Sequence, residues 1–290
     1  MIQSMTGFGK ASSELPNKKI CVEIKSLNSK QLDLSTRIPS SYREKEMEIR
    51  NNLLQNIERG KVDFSIYVEN IDKTTSSQIN QSALESYYNQ INEASQKLQI
   101  PVPQNWFSVL LRLPDVMKTE MTELDENEWN LVKETIANAL EQFNLFRSQE
   151  GLVLQKIFES KISNIYLLLD EVEKFELERI EKVKSKILDA LQKLDIQNYD
   201  TNRFEQELIY YIEKLDVNEE KIRLNNHLNY FIDTMNTEKS PGRKLGFISQ
   251  EIGREINTLG SKSNHAEMQK IVVQMKDELE QIKEQILNVL

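Results

Sequence analysis

The sequence predicts an α+β protein: a small N-terminal α/β sheet domain followed by a mostly α-helical C-terminal region containing long helices. Two patterns predict this. Up to about residue 72, apolar and polar residues alternate with period two, as in half-buried strands. Beyond residue 80, apolar residues recur at spacings of three and four, as on the buried stripe of a helix. A chain of 290 residues, 39% hydrophobic and 29% charged, is long enough to bury one large or two modest cores. We divide it into an N-terminal α+β domain with appended helices at 1–150, a long helical hairpin or coiled-coil arm at 151–200, and a C-terminal helical domain at 201–290.

Ile2 to Ala11 reads as a first strand, ending near Glu14-Leu15-Pro16-Asn17. Lys19 to Ser35 alternates through Ile20, Val22 and Ile24, then Leu32 and Leu34, with a bend at Asn28-Ser29. Pro39-Ser40-Ser41 offers a cap to a helix over Ser41 to Ile57, which Gly60 ends. Val62, Phe64, Ile66 and Val68 form the next strand, so a small sheet carries a helix on one face. Helices follow at Asn80 to Leu98, Trp106 to Leu113 and Asp125 to Gln149, the first two broken by Ile100-Pro101-Val102-Pro103 and Pro114. Residues 152–198 lack glycine and proline; Phe158, Ile162, Ile165, Leu169 and Val172 step by four and three, which suggests the arm, with a turn at Gln197 to Asn202.

Composition excludes several classes. Net charge is −9, against a protein that coats nucleic acid by bulk attraction. Residues 1–70, with 11 basic and 9 acidic residues, and residues 238–262, with 5 and 3, are nevertheless slightly positive, which permits a local basic surface. No apolar run approaches the roughly 18 residues that span a bilayer, and the N-terminus has no signal-peptide pattern. With Cys21 alone, no internal disulfide forms, and a cytoplasmic location without a membrane partner is expected. There is no Gly-rich phosphate loop, zinc-ligand spacing or nucleophile elbow, so no nucleotide cofactor is expected.

Two stretches carry the candidate chemistry. In Gly242 to Asn264, Leu245, Ile248, Ile252, Ile256 and Leu259 draw a buried stripe, flanked by a row of Glu251, Glu255, Thr258 and Lys262. Gln250, Arg254, Asn257 and Ser261 form a further row roughly opposite the stripe. Gly246, Gly253 and Gly260 lie seven apart and share a side, so another helix or a phosphate approaches the backbone there. In Asp216 to His227, Asp216, Glu220, Arg223 and His227 share one face. Carboxylates so spaced suit Mg²⁺ or Mn²⁺, arginine suits a phosphate, and imidazole moves protons near neutral pH. The same residues also suit an ion-paired, solvated helix face.

Several segments, in order along the whole chain, resemble the YicC/YloC family of bacterial endoribonucleases. They are Ser4-Met5-Thr6-Gly7-Phe8-Gly9; Lys25-Ser26-Leu27-Asn28 with Leu32-Asp33, Arg37 and Pro39; Arg59-Gly60-Lys61-Val62; Asp216, Glu219, Glu220, Arg223, Leu224 and His227; and Gln250-Glu251, Arg254-Glu255 and Asn257 to Lys262. The resemblance implies an RNA phosphodiesterase that uses a divalent cation, Mn²⁺ or Mg²⁺, and works as a ring-like homo-oligomer, a hexamer. We assign catalytic roles to Glu220, Glu251, Glu255 and His227, metal ligation to Asp216, Glu220, Glu251 and Glu255, and RNA contacts to Arg37, Arg59, Lys61, Arg223, Arg254 and Lys262. The chain departs from the family at Lys30, where arginine is usual, at Gly246, where an acid is usual, and at Gly253, where asparagine is usual. Two other readings use the same residues: a non-catalytic RNA-binding adaptor that recruits another nuclease, and a structural oligomer whose polar rows are subunit ion pairs.

Overall fold

In a computed structural model, the structure describes residues 2–71, 77–119, 125–193 and 201–290. The N-terminal unit is a four-stranded sheet of β1 (Gly7–Glu14), β2 (Lys18–Leu27), β3 (Leu32–Arg37) and β4 (Gly60–Asn70), in the order β1-β2-β4-β3. Its pairings are antiparallel except β3 with β4, which are parallel. The crossover between those two contains a 3-10 turn (Ser40–Lys45) and α1 (Glu46–Asn56). The alternation read from the sequence becomes one buried face of Ile20, Val22, Ile24, Val62, Phe64 and Ile66, packed on Ile49 and Leu53 of α1. The long α4 (Glu126–Glu173) completes this core with Trp129, Val132, Ile136 and Phe143. Strand β1 meets α4 backbone to backbone, and a Cβ on Gly9 would stand 2.2 Å from the Ala139 carbonyl oxygen.

Two sequence expectations change here. The first strand begins at Gly7 and not at Ile2, because residues 2–6 leave the sheet. Ser4 N–H donates to the Arg147 carbonyl at 3.0 Å, Met5 N–H to that of Asn288 at 2.7 Å, and Ile2 is fully buried among the C-terminal helices. The helix expected to stop at Gln149 instead runs on through Gly151 to Glu173. Glycine does not end the helix; its bare backbone admits the Ile2 carbonyl oxygen, 2.1 Å from where a Cβ would sit. The stretch read as the first half of an arm is therefore core: Leu154, Phe158, Ile162, Ile165, Leu169 and Val172 are buried against other helices. Helix α5 (Glu176–Lys193) follows. The expected turn at 197–202 falls mostly outside the described residues, which resume with α6 (Thr201–Lys214). Between the sheet and α4, α2 (Gln81–Leu98), α3 (Trp106–Leu110) and the short pair β5 (Ser77–Ile79) and β6 (Met117–Thr119) form an excursion.

The second core joins the C-terminal half of α4 to α7 (Asn218–Thr237), α8 (Gly242–Lys262) and α9 (Ala266–Ile286). The stripe Leu245, Ile248, Ile252, Ile256 and Leu259 is buried as its spacing predicts. The glycine row of α8 faces α9. A Cβ on Gly246 would lie 3.8 Å from Ile286, one on Gly253 3.3 Å from Leu279, and one on Gly260 2.9 Å from Val272. The partners on α9 are also seven apart, in reverse order, so the helices run antiparallel and close on each other toward Gly260. The close neighbour left open between helix and phosphate is a helix.

Candidate functional site

The two polar rows found in the sequence meet along the outer seam between α7 and α8, which run antiparallel. At one end Lys262 Nζ donates to Glu220 Oε1 at 2.8 Å. At the other, His227 and Tyr230 of α7 line a hollow of about 320 Å³ with Lys244, Phe247 and Glu251 of α8. Glu255 lies one turn from Glu251, about 6 Å along the axis, and no ion pair holds it among the described residues. Glu251 is paired with Arg254 at 2.8 Å within its own helix.

Glu220 is the most unusual member of the seam. It is only 5% exposed, and its second oxygen, Oε2, has no hydrogen-bond partner among the described residues. A buried carboxylate with an open lone-pair face costs several kcal/mol unless another charge compensates it. Lys262 supplies one such charge. Asp216 stands at the start of α7, exposed, and accepts from the Asn218 N–H at 3.2 Å. Arg223 is exposed and paired with Glu219. The hydroxyls of Thr258 and Ser261 bond to carbonyls of their own helix, at 3.0 and 2.8 Å.

Among the described residues, no three His, Cys, Asp or Glu side chains stand close enough to form a metal cluster. That rules against an all-protein cage in this arrangement. It does fit an ion held by one or two carboxylates while water and substrate phosphate complete the shell, as Mg²⁺ prefers. Glu251 and Glu255, half-buried on successive turns of one face of α8, are such a pair.

The cations expected to contact RNA stand on several elements among the described residues. Arg37 and Lys61 lie on the solvent face of the sheet, on neighbouring strands β3 and β4. Arg254 is exposed on α8. Arg59 turns elsewhere, donating from Nη2 to the Val289 carbonyl at 2.6 Å. There it lines a cleft of about 690 Å³ between the β2–β3 turn, the first turns of α8 and the end of α9. Burial, with Arg243 nearby, lowers its pKa below the ordinary guanidinium value.

Comparison with known proteins identifies the family. Residues 2–156 match the family described as "Endoribonuclease YicC-like, N-terminal region", and residues 172–290 match "Endoribonuclease YicC-like, C-terminal". The chain belongs to the YicC-like endoribonuclease family. It is 31% identical over 293 residues to a "Probable endoribonuclease YicC" of Clostridioides difficile, covering 100% of both chains. It is 29% identical over 290 residues to a protein of the same description from Haemophilus influenzae, covering 99% of each.

Within this YicC-like chain the N-terminal motif residues tie the two cores together. Ser26 Oγ donates to the Met5 carbonyl at 2.6 Å, Ser4 Oγ lies 2.8 Å from Thr6 Oγ1, and Asn28 bonds to the side chain of Asn288. Sequence reasoning missed Tyr230, Arg243, Lys244 and Phe247, which line the hollow or the cleft. Phe247 carried a signal: it is a large apolar residue off the buried stripe of α8, and it is 61% exposed.

Proposed function

We propose that the chain is an endoribonuclease that cleaves RNA phosphodiester bonds at the α7–α8 seam, as the names of its relatives suggest. The observation that carries this reading is the meeting of two polar rows, Glu220 and His227 on one helix with Glu251, Glu255 and Lys262 on the next. When bound, a divalent cation on Glu251 and Glu255 would polarise the scissile phosphate or activate its nucleophile. Glu220, paired with Lys262, holds that part of the seam rigid. His227 is positioned to take or give a proton at a ribose or leaving oxygen. Arg254 and Arg223, exposed beside the seam, contact backbone phosphates. Arg37 and Lys61 join the same path when copies assemble into a homo-oligomer, a hexamer. Exposed apolar side chains such as Leu98 and Phe107 are consistent with contacts between copies.

The test is cleavage of an end-labelled RNA hairpin by the purified protein, with EDTA and with Mn²⁺ or Mg²⁺ restored. Cutting is expected only with metal, and Glu251→Gln or Glu255→Gln lowers its rate at least about a hundredfold while sedimentation and melting stay unchanged. Cutting that survives both substitutions removes the metal from these carboxylates. A 2′,3′-cyclic phosphate end identifies the 2′-hydroxyl as nucleophile, and a 5′-phosphate identifies water. The lack of a three-ligand cluster among the described residues favours a second reading, an RNA-binding adaptor. It is adopted if RNA binds tightly, is indifferent to EDTA, and is never cut.

A further inference from the structure

The 690 Å³ cleft between the sheet unit and α8 has a composition that the seam does not explain. Three cations line it, Lys30, Arg59 and Arg243, and none of its described lining residues is Asp or Glu, although the chain carries nine more acidic than basic residues. Neither Lys30 nor Arg243 has an ion-pair partner among the described residues. Among the described residues Arg59 is bonded there only to a backbone carbonyl, and burial and the nearness of Arg243 disfavour its charge more than the carboxylate of Glu58, outside the lining, favours it. Like charges held together in a concave, partly dry place are unfavourable until an anion joins them. The rest of the wall is apolar or amide: Phe247, Leu287 and Gln250. Phe247 is 61% exposed and borders both this cleft and the hollow of His227 and Glu251.

We propose that this cleft is a nucleotide subsite for single-stranded RNA, in which a base stacks on Phe247 while Arg243, Lys30 and Arg59 hold the adjoining phosphates. A phosphate alone needs the cations but not the aromatic ring; a protein partner needs the ring but gains little from three cations without acids among them. A nucleotide uses both, because every base offers a π face and every linkage a negative charge. Gln250, beside the ring, supplies a donor and an acceptor for a base edge. The strand then passes over Phe247 to Glu251, one helical turn further along α8, about 6 Å. The subsite thus places an unpaired nucleotide next to the proposed point of cleavage, and rests on that reading of the seam.

The experiment measures binding of a fluorescein-labelled single-stranded oligoribonucleotide to the full-length protein by anisotropy, in EDTA so that nothing is cut. The unsubstituted protein, Phe247→Ala, Phe247→Trp and Arg243→Ala are compared, with melting and sedimentation recorded for each. Both residues are exposed, so the folded state should tolerate the changes. Phe247→Ala is expected to weaken binding about tenfold, the loss of one stacked base, and Phe247→Trp to restore it. Arg243→Ala should lower the slope of log affinity against log salt by about 0.7, the loss of one phosphate contact on a single strand. The subsite is overturned if the unsubstituted protein binds RNA and both alanine variants bind it equally well. It is also overturned if Phe247→Ala alters only the sedimenting mass, which makes the ring a contact between copies. If the unsubstituted protein binds no RNA in EDTA but cuts it once Mn²⁺ or Mg²⁺ is restored, the subsite alone falls; if it neither binds nor cuts, the endoribonuclease reading falls with it.

Discussion

Glu220 and Lys262 show how a charged pair can join two helices along a seam. Glu220 is almost wholly buried, and Lys262 retains 29% side-chain exposure. Replacing Lys262 with methionine keeps the stem and removes the compensating charge, leaving a carboxylate in a place where water reaches one partner only. A fully buried pair broken this way loses about 3–5 kcal/mol; partial exposure of Lys262 brings the expectation to about 2–3 kcal/mol. Urea unfolding of Lys262→Met checks this, and adding Glu220→Gln should recover most of the loss because the uncompensated charge goes with it. A double variant as unstable as the single one would mean that the lysine stem, not the charge, matters there. The rows holding these residues were legible in the sequence because helical spacing puts residues three and four apart on one face. Their partners were not: which residue of α7 faces which residue of α8 depends on the direction and offset of two helices, and neither is encoded in the spacing within each. Phe247 was passed over because a single exposed aromatic has no period.

Secondary-structure elements raise a related point through the glycines of α8. Their heptad spacing was visible, and the expectation that something lies close to the backbone was sound, but identifying it required α9. The graded distances make a graded prediction. A Cβ on Gly246 would make only an ordinary contact, with Ile286 at 3.8 Å, so Gly246→Ala should stabilise the protein by up to about 1 kcal/mol through helix propensity. At Gly260 a methyl would meet Val272 at 2.9 Å, so Gly260→Ala should cost about 1–3 kcal/mol as α9 is pushed away. Chemical denaturation of the two variants measures the contrast. Equal effects at both positions would mean that α8 and α9 do not converge as described. Helix α4 shows where sequence punctuation fails. The helix expected to stop at Gln149 continues through Gly151, whose bare backbone admits the Ile2 carbonyl, a contact from a residue far away in the chain.

At the scale of the molecule, the division into a sheet domain and a helical domain describes where the two cores lie but not how they are joined. Helix α4 contributes Trp129 to Phe143 to one core and Leu154 to Val172 to the other. Arg147 stands between them, 2% exposed, with Nε donating to the Ser4 carbonyl at 2.8 Å and its guanidinium 5.1 Å from the Phe143 ring centre. Burial lowers its pKa to about 10, so it remains charged at neutral pH and is held there by carbonyl and aromatic contacts. The segment from Ile2 to Met5 crosses α4 at this level and pairs with residues 288–290, so the two ends of the described chain are hydrogen-bonded to each other. Such interlocking should make the cores a single cooperative unit, because neither can lose its packing without exposing the shared helix. With Trp106 replaced by phenylalanine, fluorescence of buried Trp129 follows the sheet core, and circular dichroism at 222 nm follows the helices; with increasing urea the two should change together. Ile2→Ala then gives the sharper test. Ile2 precedes the sheet in sequence but is fully buried in the helical core, and truncating such a residue costs about 2–5 kcal/mol. If the cores are coupled, this change beside the helices lowers the midpoint of the Trp129 signal by as much as it lowers that of the helical signal. A Trp129 transition that stays in place while the helical one moves would separate the chain into two independently unfolding units, despite the continuous helix between them.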